Sequence, residues 1–114
     1  MEDCVFCKII ACKIPSQFLH QDDLVVAVRD INPQTPTHIL IMPKRHIASL
    51  AETTDKDEAL LGRMMIVATR LARQEGVEKS GYRLVVNSGP DARQVVQHLH
   101  LHVLGGRALG GKMG

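Results

Sequence analysis

His98-Leu99-His100-Leu101-His102-Val103-Leu104 puts an imidazole at every second position of an otherwise apolar run. On an extended strand alternate side chains share a face, so the three rings would stand in a row ~6–7 Å apart. Leu99, Leu101 and Val103 would point the other way, into a core. Three chemistries are open to such a row. It could be a polar face with no further role. It could share a metal ion, although a catalytic metal needs a further ligand and no acidic residue flanks the run. Or one imidazole could act as a nucleophile, since a neutral ring is available near pH 7. Attack on phosphorus needs one ring nitrogen free and the other protonated and held by an acceptor. Neighbouring rings can then orient the nucleophile, donate to phosphate oxygens and assist a leaving group. Three histidines on one face suit that division of labour best.

Cys4-x-x-Cys7 is a second chemical pattern, with metal-ligand spacing. Two small buried residues on one helix face would give the same spacing. No strand-helix-strand pattern surrounds it, which speaks against a thioredoxin-like redox pair. Cys12 makes the count three, and all three crowd at the N-terminal end, a poor disulfide framework.

The elements that must position these residues can be read from periodicity and breakers. Asp3 to Ile10 reads as a short helix capped by Asp3, with Phe6 and Ile10 one turn apart. Ile14-Pro15-Ser16 breaks the chain. Phe18–His20 and Val25–Arg29 read as strands joined by a turn at Gln21-Asp22-Asp23. Asn32-Pro33-Gln34-Thr35-Pro36 is a loop, and His38–Met42 an apolar strand that Pro43 ends. Asp55 and Glu58 have capping-box spacing, and the apolar residues from Leu60 to Ala72 repeat at helical period up to Gly76. Tyr82–Asn87 and Leu99–Leu104 are the last strands, with a loop from Ser88 to Asp91 between them. The first strands are hairpin-linked, and no regular strand-helix-strand repeat follows. The expected fold class is therefore α+β: about five antiparallel strands, one long helix covering one face, and one short helix.

The chain has 114 residues, the size of one domain. With one Tyr, two Phe and no Trp, its core must be aliphatic. A domain this small often gains stability as an oligomer. The formal net charge is +2, and the basic residues are scattered. That argues against a nucleic-acid or membrane-surface binder and leaves small anionic ligands open. No stretch approaches the ~20 apolar residues of a membrane span. Met1-Glu2-Asp3-Cys4 is acidic, unlike a secretory signal, so a cytoplasmic location is expected. The Gly-rich tail from about residue 107 is expected to be flexible, as the end of a single domain spanning 1–114.

The histidine run resembles the motif of the histidine triad (HIT) superfamily. The resemblance extends in order over nearly the whole chain, through Asp3–Ile10, Asp30-Ile31-Asn32-Pro33, Pro36–Leu40, Pro43-Lys44-Arg45-His46 and Tyr82–Asn87. Leu104-Gly105-Gly106-Arg107 is similar to the Hint branch, the histidine triad nucleotide-binding proteins. That resemblance implies a HIT-like α+β homodimer whose sheets join into one. It also implies binding of purine nucleoside monophosphates and cleavage of P–N bonds in nucleoside phosphoramidates. By position, His100 would form a covalent nucleotidyl-histidine, His102 would contact phosphate and help the amine leave, and His98 and His38 would orient the site. Asp30 would hold the ribose hydroxyls, and Asn87 would contact the sugar-phosphate region. Phe6, Ile9, Ile31 and Gln94 would complete the nucleotide site. No catalytic cofactor is implied, but a structural zinc on Cys4, Cys7, His46 and His98 is, because a Cys₂His₂ set fits tetrahedral zinc.

Read without the resemblance, Asp30 and Asn87 fit turn chemistry equally well, and His38 fits a satisfied core histidine. The chain departs from the family where Gly-Gln-Ser or Gly-Gln-Thr usually precedes the triad. Here the residues are Arg93-Gln94-Val95, so a Cβ replaces the glycine's open backbone and the hydroxyl donor is missing. The tail also lacks the aromatic, Pro-rich ending common in that branch. A dinucleoside polyphosphate hydrolase and a nucleotide-binding regulatory module are the alternative expectations.

Overall fold

Val25–Arg29 and Thr37–Pro43 are the central pair of strands, and their sequences explain why. Both are dominated by β-branched and long aliphatic residues, which suit a pleated surface covered on both sides. Every residue of Thr37–Pro43 is buried. A computed structural model describes residues 3–114; Met1 and Glu2 of the acidic N-terminal sequence lie outside the described residues.

The five strands are β1 (Phe18–Gln21), β2 (Val25–Arg29), β3 (Thr37–Pro43), β4 (Tyr82–Val85) and β5 (Leu101–Gly105). They form one antiparallel sheet in the order β1-β2-β3-β5-β4. Two helices, α1 (Val5–Ile10) and α2 (Glu58–Gln74), cover its two faces. Val25, Ala27, Ile39, Ile41, Leu101 and Val103 pack with Met64, Val67, Ala68 and Leu71 of α2. Val26, Val28, Leu40 and Met42 pack on the other face with Phe6 of α1. The α+β expectation holds, with the addition that the short helix closes the second face.

The long helix ends as its sequence predicts. Gly76 takes φ 75°, while its N–H reaches Arg73 O and the Val77 N–H reaches Ala72 O, a Schellman end. Glu75 at that end binds Arg29 through two hydrogen bonds of 2.6 and 2.9 Å, tying α2 to the end of β2.

Several boundaries differ from the sequence reading. The cap of α1 is Cys4, whose sulfur accepts the Cys7 N–H at 3.3 Å; Asp3 lies one residue too early. The capping box is Thr54 with Asp57, around a 3₁₀ turn at Asp55–Asp57 that precedes α2. The Thr54 hydroxyl wins over Asp55 because its acidic partner Asp57 also pairs with Arg45. Strand β4 stops at Val85, paired with His102, because β5 begins only at Leu101. Asn87 instead donates to Ala92 O at 2.9 Å and opens the following loop.

Candidate active site

Of the three alternating histidines only His102 lies on a strand; His98 and His100 precede β5. Their alternation nevertheless survives. Leu99 donates its N–H to Ile47 O at 2.7 Å and is buried in the α2-side core. His98 and His100 turn to the other side, against Phe6, with ring centroids 5.9 and 4.9 Å away. The single strand of the sequence reading is thus an extended approach followed by a strand.

β3 supplies a fourth imidazole. His38 pairs with Leu104 and Leu40 pairs with His102, so His38 and His102 are diagonal neighbours on one face. Their nitrogens, His38 Nε2 and His102 Nδ1, are 2.9 Å apart. The Gln34 N–H donates to His38 Nδ1 at 3.0 Å, which makes that nitrogen an acceptor. In the neutral ring the proton is then on Nε2, which donates to His102 Nδ1 and lies 3.3 Å from Asp30 Oδ2. His102 therefore keeps its own proton on Nε2. His100 is fixed in the complementary sense: Nδ1–H donates to His98 O at 2.7 Å, leaving the Nε2 lone pair free. Among the described residues no fully buried polar side-chain atom lacks a partner, so this unpartnered nitrogen faces the open cavity that His100 lines.

Burial sets the charge state. His102 has its pKa pushed down to about 4, by desolvation first and then by His100 and His38, against the pull of Asp30. His38 is lowered by desolvation too, with Asp30 opposing. Both rings are neutral at pH 7.

The cavity beside them has a volume of about 460 Å³, ample for a small ligand. Phe6, Ile9, Asp30, Ile31, Asn87, His100 and His102 line it, which brings together most of the expected nucleotide-site residues. Gln94 is not among them. It is buried, and its amide is taken up by Ala48 O, Val96 O and the Gly89 N–H, so it braces the loop. His98 is also outside the cavity, fully buried. Val28 and Leu40 of the sheet and the Ile14-Pro15-Ser16 segment do line it. Their sequence signals, aliphatic strand and chain breaker, speak of structure and carry no trace of a ligand.

Next to the cavity the second pattern closes. One ligand atom each from Cys4, Cys7, His46 and His98 lies within 4.8 Å of all the others. His98 Nδ1 is 3.3 Å from Cys4 Sγ and 3.6 Å from Cys7 Sγ, and His46 Nδ1 is 3.3 Å from Cys7 Sγ. Zinc with S and N bonds of about 2.3 and 2.0 Å would need ligand edges of about 3.5 Å. His98 Nε2–H donates to Pro43 O at 2.9 Å, so its lone pair points at the sulfurs. Burial, then the neighbouring Cys4, pushes the Cys7 thiol up, which a cation among the sulfurs would reverse. These residues fit a metal ion.

An α+β sheet with buried, hydrogen-bonded imidazoles opening into a ligand-sized cavity defines the class of protein. The HIT domain model matches residues 11–109, and the chain belongs to the HIT family. A purine nucleoside phosphoramidase of Escherichia coli (strain K12) is 50% identical over 109 residues, covering 96% of this chain and 92% of that one. A HIT family hydrolase from Legionella pneumophila Philadelphia 1 is similar at TM-score 0.95 and 46% identity, over 98% of this chain and 100% of that one. A zinc-bound histidine triad family protein from Mycobacterium smegmatis is similar at TM-score 0.81 and 31% identity, over 99% and 81% of the respective chains.

Proposed function

We propose that this protein hydrolyses purine nucleoside phosphoramidates through a covalent nucleotidyl-histidine on His100. The observation that carries the reading is the 2.7 Å bond from His100 Nδ1–H to His98 O, which leaves Nε2 as a nucleophile facing the cavity. In the first step Nε2 attacks the α-phosphorus and the P–N bond breaks. The His102 N–H offsets the negative charge on the phosphoryl oxygens and the leaving nitrogen, and the amine departs with one proton from solvent. In the second step water attacks phosphorus, releases one proton to solvent and frees neutral His100. Asp30 receives the ribose hydroxyls, Asn87 faces the sugar-phosphate, and Phe6, Ile9 and Ile31 enclose the base.

Cys4, Cys7, His46 and His98 would hold a structural zinc ion, which supplies cross-linking and no catalysis. The homodimer belongs to the same reading. It is supported by the unpaired outer edge of β4 and by Met65 and Ile66, about half exposed on α2. We take residues 1–114 as one domain, with a flexible tail from about 107. A cytoplasmic location is supported by the three free cysteines. Among the described residues no helix is long and apolar enough to cross a membrane.

The test is AMP release from adenosine 5′-phosphoramidate by wild type and His100→Ala. The wild type should turn over, and the variant should lose at least about 10³-fold in kcat. Equal, negligible release from both, with AMP still bound, would leave a binding module.

A further inference from the structure

The loop from Asn87 to Val96 carries one unusual residue. Arg93 has φ 63°, in the left-handed region that favours glycine. The loop enforces that conformation. The Arg93 N–H donates to Pro90 O at 2.9 Å and the Gln94 N–H to Gly89 O at 3.2 Å. Asn87 and Gln94 brace the same segment from within. Arg93 is thus held at the cavity wall at some backbone cost, where a residue without a side chain would sit freely.

Two arginines line the cavity, and they differ in what they already do. Arg29 is engaged by Glu75 through both nitrogens of its fork. Arg93 has no carboxylate partner among the described residues and is exposed at the mouth. It is the permanent cation of this cavity that remains uncommitted.

A substrate offers two places for such a charge. In the proposed reaction the α-phosphate would meet the buried His100 and the half-buried His102. The leaving amine departs opposite the attacking nitrogen in an in-line displacement, so it points away from His100 and toward the mouth. We infer that Arg93 is a specificity-determining residue that favours phosphoramidates whose leaving amine carries its own negative charge, a carboxylate or a phosphate. The inference rests on the phosphoramidase reading above.

Three adenosine 5′-phosphoramidates test it, with alaninamide, alanine and phosphoethanolamine as the amine. Their kcat/KM values are compared in wild type, Arg93→Gly and Arg93→Lys. Glycine adopts φ 63° without strain, so the loop is kept, and a thermal melt checks the fold. Wild type should prefer an anionic amine over the neutral one. That preference should fall about fivefold in R93G, the effect of one part-exposed charge pair, and persist largely in R93K. It should also shrink with added salt. Whichever anionic amine loses more in R93G identifies the group that Arg93 meets. Unchanged ratios in R93G would overturn the inference, as would an equal fall for all three substrates, which would put Arg93 on the α-phosphate. A wild type that turns over none of the three would overturn the phosphoramidase reading and this inference with it.

Discussion

His100 and His102 are neighbours in the same tripeptide, yet one offers a lone pair and the other an N–H. The difference comes from what holds each Nδ1. A carbonyl, His98 O, takes the proton of the first; an N–H donor, His38 Nε2, occupies the lone pair of the second. A chain of donors running from the Gln34 main chain through His38 to His102 fixes the last proton on the side of the cavity. Replacing His38 by Ala would free His102 Nδ1 and let the ring choose either tautomer. We expect a fall of about ten- to a hundredfold in kcat with a smaller change in KM, because charge offset in the transition state suffers more than ground-state binding. A fall confined to KM would show that His38 serves binding instead. The sequence made the four histidines visible by spacing and by resemblance. It could not assign their protons, because the deciding groups are main-chain atoms of Gln34, Pro43 and His98 that only the folded chain brings to the rings.

Of the two helices, α1 has less of its own to hold it in place. It is six residues long and buries one of them, Phe6, so neither helix propensity nor packing fixes it strongly. Its N-cap is a cysteine whose sulfur also faces His98. A metal ion there would join the helix to the β3 exit through His46 and to the approach of β5 through His98. His98 would then act twice, with its ring on the metal and its carbonyl on the nucleophile. Purified protein should carry about one zinc per chain by elemental mass spectrometry, and Cys7→Ser should abolish it. Losing the cross-link should lower Tm by roughly 5–10 °C, as expected if it is worth one to two kcal/mol in a domain of this size. Activity should fall as well, since Phe6 and His98 O both contact His100. A metal-free wild type with an unchanged melt in C7S would dismiss the metal. The Cys-x-x-Cys spacing was legible; that Cys4 and not Asp3 caps the helix was not, since cysteine is a poor capper by propensity and takes the role because the cluster places it there.

For the molecule as a whole, the sheet buries imidazoles where it could have buried aliphatic side chains, and this has a consequence for stability against acid. The fold class was readable because strand-like segments, turn residues and the long amphipathic helix all pointed to an antiparallel α+β sheet; the strand order β1-β2-β3-β5-β4 was not. The register was not, and the register decides that His38 and His102 meet under cover. Both fold with lowered pKa values, His102 at about 4. An unfolded histidine titrates near 6.5. Between those values the unfolded chain binds the extra proton, so stability is complete above pH ~6.5 and declines as pH falls toward ~4. The groups facing His102 are the rings of His38 and His100, which disfavour its proton, and the Asp30 carboxylate, which favours it but is outweighed by desolvation. The shift corresponds to about 3 kcal/mol, or about 2 once the solvent access of a partly covered ring is allowed for. The urea midpoint should therefore drop between pH 7 and pH 5. His102→Asn, which cannot titrate, should show a smaller drop while being less stable at pH 7. An equal drop in both proteins would mean that His102 keeps an ordinary pKa in the folded chain. A bound phosphoramidate should act in the opposite direction, because its negative charge beside the ring favours the proton that burial resists.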